Sequence, residues 1–445
     1  DLKKVLPNLF LFFGGPEVSY HPEEVLAKYE YADLVMVGEG ERTFQEFMAY
    51  FVDGDREISS IDGIVYRDIG GLHRTKPRQG LDMDDLVYPY DDMETLKNRI
   101  IYYESMRGCP FSCSYCLSSI EKSVRIKSPE KTERELDFFL ENKVPQVKFV
   151  DRTFNCRHDH AMAIWTYIHE HDNGITNFHF EVSADLLNEK EIALINRMRP
   201  GLIQLEIGVQ SANEITIREI NRTMKIDVLS TIVDKIKKGN NVHQHLDLIA
   251  GLPYEGYESF GKSFDRVYKM NPEQLQLGFL KVLKGSVMHD RAQEYGIVYQ
   301  DRAPYEVLST KWLTYAEVIR LKQIEEMVEV YYNSGQFCCT MAALEQEFAS
   351  PFCMYECLAA YYDEKNAFAV SHSRIGRYEI LYDFIVKTCK ERSEQYMEML
   401  TLDMYLRDNV KKRPEFLRES GVSSDEAAAF YKKEEYDVKC FFILE

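Results

Sequence analysis

The chain has 445 residues, which is enough for two or three domains. Its hydrophobic fraction of 45% is ordinary for a folded protein, and its charged fraction of 29% argues against disorder. A net charge of −19 argues against nonspecific binding to nucleic acid, because such binding depends on Lys and Arg. No apolar run approaches the roughly 20 residues of a membrane helix, and no secretory signal is visible. We therefore expect a cytoplasmic protein that acts on a small molecule.

Residues 1–55 alternate between short apolar strands and helical patterns, which predicts parallel strands of a Rossmann-like domain. Two parallel strands are too few for a stable sheet, so we expect further strands before residue 1. Residues 56–95 predict a hairpin followed by a linker. The predicted strands of residues 1–55 are 9–13 and 33–37, and the predicted helices are 22–29 and 43–51.

From residue 96 to residue 300 the chain alternates regularly between apolar strands and amphipathic helices. Six such units in series predict an α/β fold with an open, partial (β/α)6 barrel, in which chemistry takes place at the carboxyl ends of the strands. Residues 301–445 have a mainly helical pattern, with long stretches at 305–332 and 376–406. The predicted barrel strands are 100–106, 146–150, 177–182, 202–207, 243–249 and 274–280.

Three of the ten cysteines, Cys109, Cys113 and Cys116, form a C-x3-C-x2-C motif just after the first barrel strand. A loop of this length can place three thiolates around one face of an iron-sulfur cluster, and thiolates are the ligands that such clusters need. A structural zinc site would need a fourth Cys or His at finger spacing, which the sequence lacks. The motif predicts a 4Fe-4S cluster with one iron left open.

The cysteine motif, with Tyr115 before its last cysteine, resembles that of the radical S-adenosylmethionine (SAM) superfamily. The resemblance covers residues 102–283 and implies that the open iron binds SAM. It also implies that an electron donor such as flavodoxin or ferredoxin drives release of a 5′-deoxyadenosyl radical, which takes hydrogen from a small-molecule substrate.

Polar residues at the ends of the later strands resemble the SAM contacts of the oxygen-independent coproporphyrinogen oxidase branch. Carboxylates suit the ribose hydroxyls, and a guanidinium suits the SAM carboxylate. After strand 146–150 the chain departs from the family turn that binds the SAM amino group, and it offers an Asp and a Thr there instead. The residues expected to contact SAM are Tyr115, Asp151, Thr153, Glu181, Ser183, Gln210, Arg222 and Asp247.

Residues 1–55, with G-G-P at 14–16 and G-E-G-E at 38–41, resemble the end of a cobalamin-binding domain. The D-x-H-x-x-G motif, whose His ligates cobalt, does not occur in the chain. One interpretation is that the domain binds cobalamin, although the chain contains no residue identified as a cobalt ligand. The other interpretation is a domain that keeps this fold but does not bind the cofactor. With its helical C-terminal region, the whole arrangement resembles a group in which queuine lyase, which releases queuine from a queuosine nucleotide, is one activity.

Three functions remain open at this point. The first is a radical SAM enzyme that abstracts hydrogen directly and cleaves a bond in its substrate. The second is a cobalamin-dependent radical SAM methyltransferase, and the third is an iron-sulfur protein that binds SAM without turnover. The missing cobalt-ligand motif favours the first.

Four further residues have two interpretations each. Cys353 and Cys357 are spaced for a helix and suit either a second cluster or buried small side chains. His158 and His160 follow the 146–150 strand and suit either substrate contacts or exposed positions at the start of a helix. We favour buried small side chains for Cys353 and Cys357, and exposed positions at the start of a helix for His158 and His160.

Overall fold

The computed structural model of the protein describes residues 1–90, 99–407, 414 and 416–417. It contains an N-terminal sheet of four strands, a six-stranded barrel sheet, and a helical region after the barrel. No helix in these ranges is long and apolar enough to cross a membrane.

The N-terminal sheet has the order β1-β2-β3-β4. The predicted parallel pairing of β1 and β2 is confirmed, but β3 pairs antiparallel with β2. The hairpin predicted in residues 56–95 is therefore part of this sheet rather than a connection to the barrel. Its strands are β1 Phe12–Phe13, β2 Leu34–Met36, β3 Ile64–Asp68 and β4 Gly71–Arg74, and its helices are α1 Leu2–Val5, α2 Pro16–Ser19, α3 Pro22–Lys28 and α4 Glu41–Met48.

The six predicted barrel strands are confirmed, and all of them pair in parallel in the order β12-β11-β10-β9-β8-β5. Residues 106–107 leave the first predicted strand and form a separate two-stranded ribbon, β6–β7. The strands are β5 Ile101–Tyr103, β6 Met106–Arg107, β7 Arg125–Ile126, β8 Gln146–Phe149, β9 Asn177–Val182, β10 Ile203–Gln210, β11 His243–Ala250 and β12 Gln274–Phe279. The helices are α5 Pro129–Glu141, α6 His158–Glu170, α7 Glu189–Ile195, α8 Glu214–Glu219, α9 Ile226–Lys237, α10 Tyr257–Tyr268 and α11 Val287–Asp290.

The two faces of the barrel sheet differ in chemistry. In β10, Leu205 and Ile207 are fully buried in the core shared with the surrounding helices. The alternate residues Glu206 and Gly208 lie on the concave face, where Gly208 is the register partner of Asp247. Because side chains alternate along a strand, one face builds the core and the other is left polar.

The region after the barrel is mainly helical, as predicted, but it begins with a strand. Residues 307–309 form β14, which pairs antiparallel with β13. The helix predicted from residue 305 begins ten residues later, because Thr314 and Glu317 form a reciprocal capping box. The pattern at 376–406 is divided between two helices. The elements are β13 Val298–Tyr299, β14 Val307–Ser309, α12 Tyr315–Val328, α13 Cys338–Leu344, α14 Pro351–Glu364, α15 Arg374–Thr388 and α16 Ser393–Arg407.

The cysteine motif lies in a loop, residues 108–124, that we call the cluster loop. The β6–β7 ribbon closes it, with Arg107 and Arg125 as direct partners. At its first residue, Gly108 has φ of 97°, and a Cβ there would lie 2.0 Å from the Ser123 carbonyl oxygen. The two ends of the loop can approach this closely only with glycine at this position.

We expect Gly108→Ala to prevent the cluster loop from closing, because the added methyl group overlaps the backbone of Ser123. Gly15→Ala is the matched control, since Gly15 has the same φ of 97° and a Cβ added there would meet no atom within 4 Å. The control should lose only about 1–3 kcal/mol of unfolding free energy from the strained, positive-φ backbone. Iron content after anaerobic reconstitution, measured beside the thermal midpoint, should fall in Gly108→Ala alone. Equal effects of the two substitutions would contradict this explanation.

Candidate active site

The cluster loop is fixed to the barrel by backbone hydrogen bonds. The amide of Cys109 donates to the Glu121 carbonyl at 3.1 Å within the loop. The amide of Ser114 donates to the Ile220 carbonyl at 3.0 Å, and the Ser114 carbonyl accepts from the Met288 amide at 2.8 Å. These bonds connect the middle of the motif to the end of α8 and to α11.

The three cysteines of the motif line one open cavity of about 200 Å³ at the carboxyl ends of the barrel strands. Seven of the eight residues predicted to contact SAM line the same cavity. The seven are Tyr115, Thr153, Glu181, Ser183, Gln210, Arg222 and Asp247. Residues from four strand ends and the cluster loop therefore converge on one cavity, and their contacts with SAM stay a prediction.

Arg222 joins the cluster loop to the barrel wall. Its Nη1 donates to the Tyr115 hydroxyl at 3.3 Å and lies 4.0 Å from Cys113 Sγ. Its Nη2 donates to the Gly208 carbonyl. Its Nε is buried and has no hydrogen-bond partner among the described residues, so the guanidinium keeps a donor available for an anionic ligand group.

Gln210 occupies an irregular position at the end of β10. Its φ is 71°, and the pairing with β11 shifts register between Gly208 and Gln210. A Cβ on Gly208 would lie 2.4 Å from Gln210 Nε2, so the glycine leaves room for the amide to fold over the strand. Gln210 lines the cavity, and its Oε1 is buried without a hydrogen-bond partner in the described part of the chain, which leaves this acceptor unused.

Three carboxylates on neighbouring strands face one another across the concave face. Glu206 accepts from Lys148 Nζ at 3.0 Å and lies 2.9 Å from His179 Nε2. The bond to His179, together with that to Lys148, lowers the pKa of Glu206 to about 2. Burial, with the charge of Glu206, raises the pKa of Glu181 to about 6. Burial, followed by the charges of Glu206 and Glu181, raises the pKa of Asp247 to about 8.

Asp151 does not take the role predicted for it. Its side chain is fully buried away from the cavity and accepts from the backbone amides of Ser105 and Met106 at 2.8 and 3.0 Å. It also accepts from the Ser105 hydroxyl. Burial raises its pKa to about 7. Asp151 fixes the turn between β5 and β6, and the cavity wall here is formed by Arg152 and Thr153.

Sequence reasoning missed several residues of the site. Arg152 and Glu206 line the cavity, and Lys148 and His179 hold Glu206 from the neighbouring strands. The alternation of apolar and polar residues along the strands was the available signal, because it places Glu206 on the same face as Gly208.

The two histidines near this turn differ from each other. His158 is half-exposed, as predicted for a position at the start of a helix, and it pairs with Glu191 at 2.9 Å. His160 was expected to be exposed but is buried, with Nε2 2.9 Å from the Ser105 hydroxyl. Burial lowers the pKa of His160 to about 4, so it packs as a neutral ring that supports the Asp151 turn.

The donor set fits a cluster and SAM. The described residues contain no group of three or more Cys, His, Asp or Glu close enough to hold a single metal ion. The three thiolates of the cluster loop are the soft ligands that an iron-sulfur cluster needs. Gln210 Oε1, Arg222 Nε and Asp247 Oδ1, which lack hydrogen-bond partners in the same ranges, supply the donors and acceptors that a zwitterionic nucleoside such as SAM needs.

Cys353 and Cys357 lie one turn apart on α14 and are both half-buried. Within the described ranges they take part in no group of ligands suited to a metal ion. Cys357 packs against the hydrophobic core.

Comparison with family models identifies the barrel. Residues 103–267 match the radical SAM superfamily, so the chain contains a radical SAM domain, whose cofactors are a 4Fe-4S cluster and SAM. Residues 293–442 match a family described as a protein of unknown function (DUF4080). The chain therefore carries a radical SAM domain, followed by a region that matches the second family.

Its relatives include several methyltransferases. An uncharacterized methyltransferase of Pyrococcus horikoshii is 26% identical over 354 residues, which are 75% of this chain and 73% of the relative. The cobalamin-dependent radical SAM methyltransferase TokK of Streptomyces tokunonensis is 22% identical over 323 residues, which are 66% of this chain. The match spans 46% of TokK, so this chain corresponds to less than half of that protein.

Among solved structures, the cobalamin-dependent SAM radical enzyme OxsB shares the fold. The TM-score is 0.62 at 15% identity, and the match covers 98% of this chain and 72% of OxsB. These comparisons give no support to the expected release of queuine, which stays a prediction from resemblance.

We expect Arg222→Gln to weaken SAM binding and to slow SAM cleavage in the absence of substrate by about 10- to 100-fold, as for other residues that support a metal site. The reason is that Gln cannot bridge Tyr115 and Gly208. The control is Arg218→Gln on the exposed side of α8. Binding is measured by anaerobic calorimetry and cleavage by release of 5′-deoxyadenosine. Wild-type behaviour of Arg222→Gln would remove this residue from the site.

We expect SAM affinity to rise with pH. Asp247, with a pKa of about 8 in the free protein, is protonated at pH 7, and the cationic ligand favours its carboxylate. Binding should therefore release a proton, and affinity should increase by up to about tenfold per pH unit until pH 8 and then level off. Calorimetry in two buffers of different ionisation enthalpy detects the proton. Asp247→Asn should flatten the profile, and a steep profile in that variant would refute the assignment.

Proposed function

We propose that this protein is a radical SAM enzyme that takes a hydrogen atom directly from a small polar substrate. The observation that supports it most is the convergence of the three cysteine thiols and seven of the eight proposed SAM contacts on one cavity. When bound there, the cluster and SAM would supply a 5′-deoxyadenosyl radical. The protein must then hold the cluster and SAM in a fixed geometry. We call the side chains assigned to this task the SAM seat.

Each side chain has a proposed role in that seat. Cys109, Cys113 and Cys116 would hold the cluster. Arg222, with Nε free of hydrogen bonds to the described residues and Nη1 bonded to Tyr115, would bind the SAM carboxylate. Gln210 Oε1 would accept from the amino group, and Glu181 and Asp247 would accept from the ribose hydroxyls.

The concave face beyond this seat is polar, and this property favours a polar substrate. Glu206 remains ionised between Lys148 and His179. His245 Nε2 lies 3.1 Å from Asp247 Oδ1, yet both atoms are buried without a hydrogen bond to any described residue. Burying such groups costs free energy that an apolar barrel interior would not require. Perturbed ionisable residues in a cleft are typical of a functional surface.

The region that follows β1 of the N-terminal sheet contacts the barrel. Ligands of parallel α/β sheets bind at the carboxyl ends of the strands. After β1, the ring of Tyr20 packs so closely on Gly285 that a Cβ there would lie 2.3 Å from it. Glu17 pairs with Lys284 at 2.8 Å and accepts from the Tyr305 hydroxyl. Side chains of the N-terminal sheet region and of the barrel are therefore in direct contact at this point.

A second candidate is a cobalamin-dependent radical SAM methyltransferase. It is favoured by the similarity to TokK and by the fold shared with OxsB, both of which are described as cobalamin-dependent. The two candidates predict different products from SAM.

Reduced, reconstituted protein with SAM separates the candidates by product analysis. Direct hydrogen abstraction predicts 5′-deoxyadenosine and no S-adenosylhomocysteine, with no cobalamin in the purified full-length protein. Methyl transfer predicts S-adenosylhomocysteine and stoichiometric cobalamin. An intact cluster that yields neither product would leave only a SAM-binding protein without turnover.

Cys113→Ala should abolish both the cluster absorbance and the cleavage of SAM, because the remaining two thiolates of the motif cannot hold the cluster. Cys353→Ala is the control, since Cys353 lies on α14 outside the cavity. The readouts are iron content, visible absorbance and 5′-deoxyadenosine. Cleavage that survives Cys113→Ala would overturn the proposed function.

A further inference from the structure

The G-E-G-E segment at 38–41 contributes nothing to the SAM seat, yet its two carboxylates reach the base of the cluster loop. The segment follows β2, at the carboxyl end of the N-terminal sheet. Glu39 accepts from the Leu81 amide at 3.0 Å and from Arg125 Nη1 at 3.2 Å, and it lies 3.4 Å from Arg107 Nη1. Glu41 accepts from Arg107 Nη2 at 2.9 Å.

The two arginines lie side by side, and Glu39 contacts both of them. Arg107 and Arg125 are direct partners across the β6–β7 ribbon, and like charges in that arrangement repel. Both side chains are about four-fifths buried, at 20% and 19% exposure, so water screens them poorly. Glu39, itself 20% exposed, contacts both guanidinium groups.

Other carboxylates contact one arginine each. Glu104 holds Arg107 in two bonds at 2.9 and 2.7 Å, and Glu121 holds Arg125 at 2.8 Å. Glu104 and Glu121 belong to the barrel domain, whereas Glu41, which bonds to Arg107 alone, belongs to the N-terminal domain with Glu39. Glu39 comes from a different sheet, so it connects the ribbon to the N-terminal domain.

The ribbon determines the geometry of the first cluster ligand. Cys109 follows Arg107 by two residues, and its amide donates to Glu121, which lies four residues before Arg125. Gly108 brings the two ends of the loop into contact between them. A shift of the ribbon therefore moves the Cys109 thiol relative to the other two thiols.

We propose that Glu39 is a positioning residue for the iron-sulfur cluster: by bridging Arg107 and Arg125 from the N-terminal domain, it fixes the closed form of the cluster loop. The N-terminal domain then acts as a support for the cluster. The inference rests on the radical SAM cluster and holds for direct abstraction and for methyl transfer alike.

The test uses Glu39→Gln in the full chain, reconstituted anaerobically with iron and sulfide. Glu46→Gln is the matched control, because Glu46 pairs with Arg78 inside the N-terminal domain. Losing one charged hydrogen-bond partner should lower SAM cleavage without substrate by roughly tenfold. It should also broaden the change that SAM causes in the electron paramagnetic resonance spectrum of the reduced cluster. A purely structural ion pair would lower the thermal midpoint in both variants and leave that spectrum unchanged.

If Glu39→Gln binds no cluster, the double variant Glu39→Gln/Arg125→Gln tests the proposal instead. Removing one arginine relieves the repulsion across the ribbon, so the double variant should recover at least half of the lost cluster content and cleavage. The proposal is overturned if the double variant is no better than Glu39→Gln. It is equally overturned if Glu39→Gln matches the wild type or if Glu46→Gln is as impaired.

Discussion

The site depends on one buried guanidinium. Arg222 connects the cluster loop, through Tyr115 and Cys113, to the backbone of β10 at Gly208. The loop is also anchored by its ribbon, by backbone bonds of Ser114, and by the contact of Cys109 Sγ with Thr153 Oγ1 at 3.8 Å. Because an arginine presents donors in a fixed plane, it sets both the distance and the orientation between the cysteine motif and the strand ends. This contact therefore fixes the positions of the residues proposed to hold SAM relative to one another.

The polar concave face follows from how the barrel sheet is built. Its convex face supplies the core, with Leu205 and Ile207 fully buried, so stability does not require apolar residues inside. The charged groups inside are then balanced in pairs. Glu206 is held by Lys148 and His179, whereas Asp247 has a carboxyl oxygen without a hydrogen bond in the described ranges and a raised pKa. Asp247 therefore lies where a bound cationic ligand would supply the missing partner.

The sequence predicted the six strands and the cysteine loop because both are local signals. Alternation identifies a strand, and spacing identifies the motif. Asp151 could not be placed this way, since a carboxylate after a strand can face the cavity or turn back to the preceding loop. Its burial beside Ser105 follows from a contact 46 residues away. The pairing of the 64–74 hairpin with β2 and the contacts of Glu39 are likewise long-range, and a single sequence carries no direct signal for them.

The separation of the two sheet faces has an evolutionary consequence. Residues such as Glu206, His245 and Gln276 share the concave face and contribute little to the packed core, whereas their neighbours along each strand maintain it. Substitutions on the concave face can therefore accumulate without unfolding the barrel. Homologous chains with the same architecture can diverge in the molecules they accept while the machinery that generates the radical stays constant. Enzymes as distant as 15% in identity can thus retain one scaffold.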